Sequence, residues 1–118
     1  MPYLQERYAR QMVGRLKTVE GRPLTGWAAQ VKANDWITFK IPGSSGEQLV
    51  CRVTRVRCFA TFEDMLRECG VDACLPGVHD VDEGVQIYKS FGTFTGETYA
   101  EAEAAFGAVA IDVVPLVA

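Results

Sequence analysis

The sequence lacks several features that would place it in a well-marked class of protein. It has one histidine among 118 residues, and it has no apolar run of about 18 residues, the length needed to cross a membrane. The segment from Met1 to Arg7 lacks the basic and then apolar regions of a secretory signal. These absences predict a cytoplasmic protein with no membrane association.

The cysteines are spaced unlike zinc ligands. They stand at Cys51, Cys58, Cys69 and Cys74, without a Cys-x-x-Cys pair, and His79 is the only imidazole that could join them. Without a secretory signal the thiols are expected to be reduced. Cys51 lies among strand residues and is expected in the core. The sequence therefore predicts no metal site and no cofactor.

What is present suits one globular domain. The chain is 48% hydrophobic and 23% charged, and a chain of this length buries about two thirds of its unfolded surface. No repeat, linker or low-complexity tract divides it, so we predict a single domain over residues 1–118. No feature indicates an obligate protein partner.

The charges are unevenly distributed along the chain, whose net charge is −3. Residues 1–60 hold ten Lys/Arg and four Asp/Glu, a net of +6, whereas residues 61–118 hold two and eleven, a net of −9. A basic half is weak support for an anionic ligand, and a solvated surface of mixed charge is the simpler alternative.

The stretch Lys17-Thr18-Val19-Glu20-Gly21-Arg22 concentrates the polar chemistry of the chain. In an ideal strand Thr18, Glu20 and Arg22 share one face and Lys17 takes the other. Lys17 therefore meets Glu20 only if it stands in the turn before the strand, or if a bulge near Gly21 re-aims one of them. The plain alternative is a surface ion pair, which stabilises by about 0 to 1 kcal/mol.

The remaining pattern predicts an α+β fold. We expect a helix over 2–13, a short helix over 27–31, strands over 36–41 and 48–59, helices following residues 61, 80 and 98, and a closing strand over 109–113. Three capping boxes are predicted, Thr61 with Asp64, Asp80 with Glu83, and Thr98 with Glu101. Apolar alternation changes parity between Val53 and Val56, which indicates a bulge. A last strand pairing with the first would close a small barrel of mostly antiparallel strands, with helices packed over its ends.

Several segments together resemble the ASCH domain family, in the right order from about residue 14 to residue 113. They are 17–22, Trp36-Ile37-Thr38-Phe39, Phe62-Glu63-Asp64-Met65-Leu66, Leu75-Pro76-Gly77-Val78, Glu83-Gly84-Val85-Gln86-Ile87-Tyr88 and Gly107-Ala108-Val109-Ala110-Ile111. The resemblance implies a PUA-like β-barrel that binds RNA or a nucleotide in a cleft beside the Lys-x-x-Glu strand.

The resemblance also carries an enzymatic alternative. Some small members are amidohydrolases that remove the acetyl group from N4-acetylcytidine, using a lysine, a threonine nucleophile and a glutamate. Lys17 matches the lysine and Glu83 the glutamate, whereas the threonine position is occupied by Glu20, with Thr18 beside the lysine. An enzyme of this kind, or a ribonuclease acting in the same cleft, would use Lys17, Glu20 and Glu83.

As a binding module, the cleft would hold RNA or a modified nucleoside or nucleotide. Lysine and arginine suit a phosphate or a carbonyl oxygen, and a carboxylate suits an exocyclic amine; Lys17, Thr18, Glu20 and Arg22 are the candidates. Stacking of Trp27, Trp36 or Tyr88 on a base would contribute about 1 to 3 kcal/mol. Trp36 is nevertheless expected in the core, and His79 in a loop with a local hydrogen bond.

Overall fold

The structure, a computed structural model, describes residues 2–43, 45–93 and 95–116. Its helices are α1 (Glu6–Val13), α2 (Phe62–Cys69), α3 (Val71–Cys74), α4 (Val81–Lys89) and α5 (Tyr99–Phe106), with one 3-10 helix over Gly26–Ala29. Its strands are β1 (Val19–Pro23), β2 (Trp36–Lys40), β3 (Gln48–Phe59) and β4 (Ala108–Pro115). No helix in these described ranges is long and apolar enough to span a membrane.

The four strands form one antiparallel sheet in the order β1-β4-β3-β2. The sheet curls into a half-barrel with the helices packed around it, which confirms the predicted α+β fold. The closing strand pairs with the first, so that Glu20 stands opposite Ile111. The register of β3 against β4 shifts between Val53 and Arg55, where the change of parity predicted a bulge.

Apolar side chains pack on both faces of the sheet. On the inner face α1 contributes Met12 to a cluster with Phe39, Cys51 and Ile111. Cys51 is fully buried, as predicted. On the other face α2 to α5 pack over β1 and β4, where the small side chains of β4 let the helices approach. Strand β1 therefore lies where the inner core, the helical layer and the open edge of the sheet meet.

Two of the three capping predictions hold in part and one holds fully. The Thr61 side chain accepts from the Asp64 N–H, and Thr98 with Glu101 forms the complete capping box. Asp80 caps α4 by accepting from the N–H of Asp82 rather than through Glu83.

The predicted start of the first helix was wrong. Helix α1 begins at Glu6, and residues 2–4 instead pair with the end of β2. The Lys40 N–H donates to the Pro2 carbonyl and the Leu4 N–H donates to the Lys40 carbonyl, each at 2.9 Å. These long-range hydrogen bonds, together with burial of Leu4 to 2% exposure, outweigh the extra helical turn.

The expectation that Trp36 belongs to the core was also wrong. Its side chain is 59% exposed. The strand period explains the position, since Trp36 shares its parity with Lys40, whereas Ile37 and Phe39 point inward and are buried as predicted.

Candidate ligand-binding cavity

A turn places Lys17 before β1, so its side chain does not follow the alternation of the strand. After α1 the chain passes through Arg15 in the left-handed region (φ 63°). The N–H groups of Leu16 and Lys17 then both donate to the Gln11 carbonyl. Lys17 thereby stands in the turn before the strand, one of the two arrangements that allow it to meet Glu20.

The Lys17 ammonium is enclosed by acceptors of the protein itself. It donates to the carbonyls of Val19 at 2.7 Å and Cys74 at 2.5 Å, and it lies 3.3 Å from Glu20 Oε1. A lysine has three N–H donors, and each has a partner here. With 2% exposure, Lys17 fixes the cluster and ties β1 to α3.

Glu20 is a buried carboxylate held between two cations. Its Oε2 atom lies 2.7 Å from both Nε and Nη2 of Arg22, and the residue is 5% exposed. Burial alone would raise the pKa of the Glu20 carboxyl, but the charges and hydrogen bonds of Arg22 and Lys17 outweigh it and hold the pKa below its ordinary value. Glu20 is therefore ionised at neutral pH.

Arg22 is the partly exposed member of this ion cluster, which we define as Lys17, Glu20 and Arg22. Its Nη2 atom also donates to the Tyr3 carbonyl at 2.7 Å. Its guanidinium lies 5.3 Å from the ring centroid of Trp27, within range of a cation–π contact. With 15% of its side chain exposed, Arg22 is the cation that a bound molecule would contact.

A cavity of about 780 Å³ opens beside the ion cluster, a size typical of small-molecule sites. Lys17, Glu20, Arg22, Trp27 and Tyr88 all line it, so the structure brings together five of the predicted site residues.

Two predicted residues lie elsewhere. Thr18 is exposed, and its backbone N–H and C=O pair with Ala73 and Val113. Glu83 is exposed on α4, and neither it nor Thr18 is among the residues lining the cavity. Five helical positions separate Glu83 from Tyr88, about 140° around the axis, so the two face different ways.

Tyr88 brings a buried hydroxyl to the cavity wall. Its ring stacks on Phe62 with 4.7 Å between centroids. Its Oη atom has no hydrogen-bond partner among the described residues. Burial raises the pKa of Tyr88 well above its ordinary value, so the group remains a donor at neutral pH. An unpaired buried hydroxyl costs about 1 to 3 kcal/mol, and a ligand acceptor would relieve that cost.

Sequence reasoning missed Tyr8 and Tyr99, which also line the cavity. Burial raises the pKa of Tyr99 while the Arg22 guanidinium opposes the shift, and the Tyr8 ring lies 5.2 Å from the Lys17 ammonium. No local sequence pattern signals their place in the cavity, because the cavity is lined by segments that are far apart along the chain.

The comparisons with known proteins bear on the family and the fold. The ASCH domain family model matches residues 3–117. The crystal structure of hypothetical protein PH0355 is similar with a TM-score of 0.79 and 30% identity, over 98% of this chain and 100% of that one. The solution NMR structure of protein PF0455 from Pyrococcus furiosus has a TM-score of 0.70 and 32% identity, over 98% of each chain. No curated protein gives a significant match.

A curled antiparallel half-barrel with helices packed around it defines the class as an α+β, PUA-like domain. The chain belongs to the ASCH domain family. The family match is longer than the resemblance over residues 14–113 and takes in α1, whose residue Tyr8 lines the cavity.

Proposed function

We propose that this ASCH domain binds RNA or a nucleotide in the cavity beside β1. The observation that carries the proposal is the buried ion cluster of Lys17, Glu20 and Arg22 on the wall of a ligand-sized cavity. Buried charges are costly unless they are well paired, and here the pairing holds a guanidinium at the cavity surface. The general association of ASCH domains with RNA supports the same assignment.

The charge of the cluster favours an electron-rich ligand. Two cations and one carboxylate leave one net positive charge, and it is Arg22 that reaches the cavity surface. Arginine donates well to phosphate and carbonyl oxygens. The Tyr88 hydroxyl adds a second donor for a ligand acceptor. The predicted role of Lys17 changes from contacting the ligand to holding Glu20 in place.

The aromatic wall suits a flat nucleobase. Trp27, Tyr8, Tyr88 and Tyr99 all line the cavity, and bases stack on such rings whatever their sequence. The Trp27 ring already carries the Arg22 guanidinium near its centroid, so a base that contacts Trp27 lies within reach of that donor. Base and phosphate recognition are thus combined at one wall.

The proposal is tested by calorimetric titration with nucleoside monophosphates at low salt. We expect binding that weakens as salt is added, and Tyr88→Phe should weaken it by about fivefold through loss of one hydrogen bond. Arg22→Met should weaken it further. Arg10→Gln, which removes an exposed arginine 79% accessible on α1, is the matched control. Absence of binding would contradict the proposal. So would an affinity that is unchanged from the native protein in both Tyr88→Phe and Arg22→Met.

The hydrolase alternative is less well supported by the geometry. All three Lys17 donors have protein partners, so the ammonium is not free to contact a substrate. Thr18 and Glu83 are exposed and line no part of the cavity. Incubation of the protein with N4-acetylcytidine and with single-stranded RNA is expected to give no product above a Lys17→Ala, Glu20→Gln control. Product formation lost in that control would favour the enzyme.

A further inference from the structure

A second basic and aromatic surface lies on the outer side of the sheet, away from the cavity. The helices α2 to α5 pack over β1 and β4, whereas the outward side chains of β2 and the first half of β3 are exposed or half-buried. We call this surface the outer sheet face and define it by Trp36, Lys40, Arg52, Arg55 and Val114.

Trp36 is the exposed aromatic residue of the outer sheet face and stands on its edge strand, β2. It pairs across the strands with Arg52, and Arg52 pairs with Val114 on β4, so the three side chains form one row across the sheet. A shallow cavity of about 320 Å³ lies along this row and is also lined by Leu116, which is 65% exposed. Tryptophan is largely buried on average, so a ring with 59% exposure at the edge-strand end of this row is unusual.

The charge around Trp36 is positive and only partly balanced. Arg55 and Arg57 share a single carboxylate, Asp112, at 3.5 and 2.9 Å. Arg52 donates to the neutral Asn34 Oδ1 at 2.9 Å, and Lys40 is exposed at the far end of β2. Four cations therefore face one carboxylate on these strands, and Asp35 and Glu47 stand just before β2 and β3. A strip with this excess of positive charge favours a polyanion over an ordinary protein partner.

We propose that the outer sheet face binds single-stranded RNA, with a base stacked on Trp36 and the flanking phosphates held by Arg52 and Arg55. An open sheet that offers an exposed aromatic ring beside arginines is a known solution for single strands, because every base has a π-face and every nucleotide a phosphate. Trp36 and Arg52 stand opposite each other on paired strands, which fixes their relative positions. This surface shares no residue with the cavity beside β1.

Tryptophan fluorescence separates the two sites because the chain has two tryptophans, Trp27 in the cavity and Trp36 on the outer sheet face. In a Trp27→Phe protein, titration with an oligouridylate of roughly ten nucleotides should quench Trp36, whereas uridine monophosphate should not. Trp36→Ala should weaken oligonucleotide binding by about tenfold. Phe106→Ala, which removes a 51% exposed ring from the end of α5, is the matched control and should leave it unchanged.

A second test measures how the oligonucleotide affinity of an arginine variant depends on salt. Arg52→Gln should reduce the slope of log affinity against log salt by about 0.7, the value for one phosphate contact on a single strand. Arg10→Gln on α1 should not change the slope.

Unchanged oligonucleotide affinity in both Trp36→Ala and Arg52→Gln would overturn the proposal. So would a concentration-dependent self-association that Trp36→Ala abolishes while RNA binding persists, because the face would then be a contact between copies. The fivefold weakening of nucleotide binding expected for Tyr88→Phe tests the cavity alone, so either site can fail without the other.

Discussion

Two arginine–tryptophan neighbours, one in the cavity and one on the outer sheet face, show how burial changes what a charge can do. Arg22 lies over Trp27, is bound by Glu20 and the Tyr3 carbonyl, and keeps 15% exposure. Arg52 stands beside Trp36 and is exposed, and among the described residues its side chain donates to Asn34 alone. The Arg22 side chain is held by partners within the fold, whereas the Arg52 side chain is exposed. Changes in the cavity should therefore affect stability and binding together, and changes on the face should affect binding alone.

The largest expected effect is that of Glu20→Gln. The substitution leaves Lys17 and Arg22 buried without their counter-charge, and breaking a buried ion cluster in this way costs about 3 to 5 kcal/mol. Urea unfolding of the variant measures the loss. Glu63→Gln, which removes the partner of Arg67 in an ion pair more than half exposed on both sides, is the control and should cost under about 0.5 kcal/mol. Equal losses would mean that the cluster is not energetically special.

Gly21→Ala is expected to come next. A Cβ atom at this position would lie 2.7 Å from both Met65 Cε and the Tyr88 hydroxyl, and overpacking of this kind costs about 1 to 3 kcal/mol. Nucleotide affinity should fall as well, because the Tyr88 ring must move. The control is Gly14→Ala, whose nearest contact is 3.4 Å away and whose φ is negative. A neutral Gly21→Ala would contradict the close packing of β1 on α4.

The loss of folding stability at acid pH should depend on Glu20. Because its pKa is lowered in the folded state, its contribution is complete above the ordinary value of 4.5 and is lost as the pH falls through the folded pKa. Thermal melts from pH 7 to 3 should show this loss in the native protein and a shallower one in Glu20→Gln. Parallel profiles for the two proteins would contradict the assignment.

The smallest expected effect on stability is that of Trp36→Ala. With most of the ring in water, the loss should stay within about 0.5 kcal/mol, against the much larger loss for Glu20→Gln. The two melting temperatures, measured side by side, check whether the outer sheet face is as independent of the fold as its exposure indicates. A loss above that of Gly21→Ala would show that Trp36 is structural.

Local pattern in the sequence was enough for much of the fold. The bounds of β3 and its bulge followed from apolar alternation that changes parity, and the Thr98 capping box followed from spacing. Trp36 was wrongly expected in the core, although the same alternation puts it on the strand face opposite to that of Ile37. The size of the ring was given more weight than its position in the alternation. The start of α1 was wrong because the competing hydrogen bonds come from Lys40, far along the chain.

Some residues that line the cavity were predictable from the sequence, but their bonding was not. The six-residue motif and Tyr88 pointed to the cavity wall that the structure contains. The partner that changes the role of Lys17 is the Cys74 carbonyl, 57 residues away, and no sequence pattern identifies such an acceptor. Glu83 was chosen by resemblance, and only the helical phase of α4 shows that it faces away from Tyr88.

The pairing of residues 2–4 with Lys40 has a consequence for solubility. An uncovered strand edge offers unpaired N–H and C=O groups to other chains and is a recognised origin of aggregation. Here Pro2 and Leu4 form hydrogen bonds with the backbone groups of Lys40. The Tyr3 carbonyl accepts a hydrogen bond from the Arg22 side chain on β1. The same three residues thus shield one end of an exposed edge and brace the cavity wall, so a variant that loses them should both aggregate more readily and hold Arg22 less firmly.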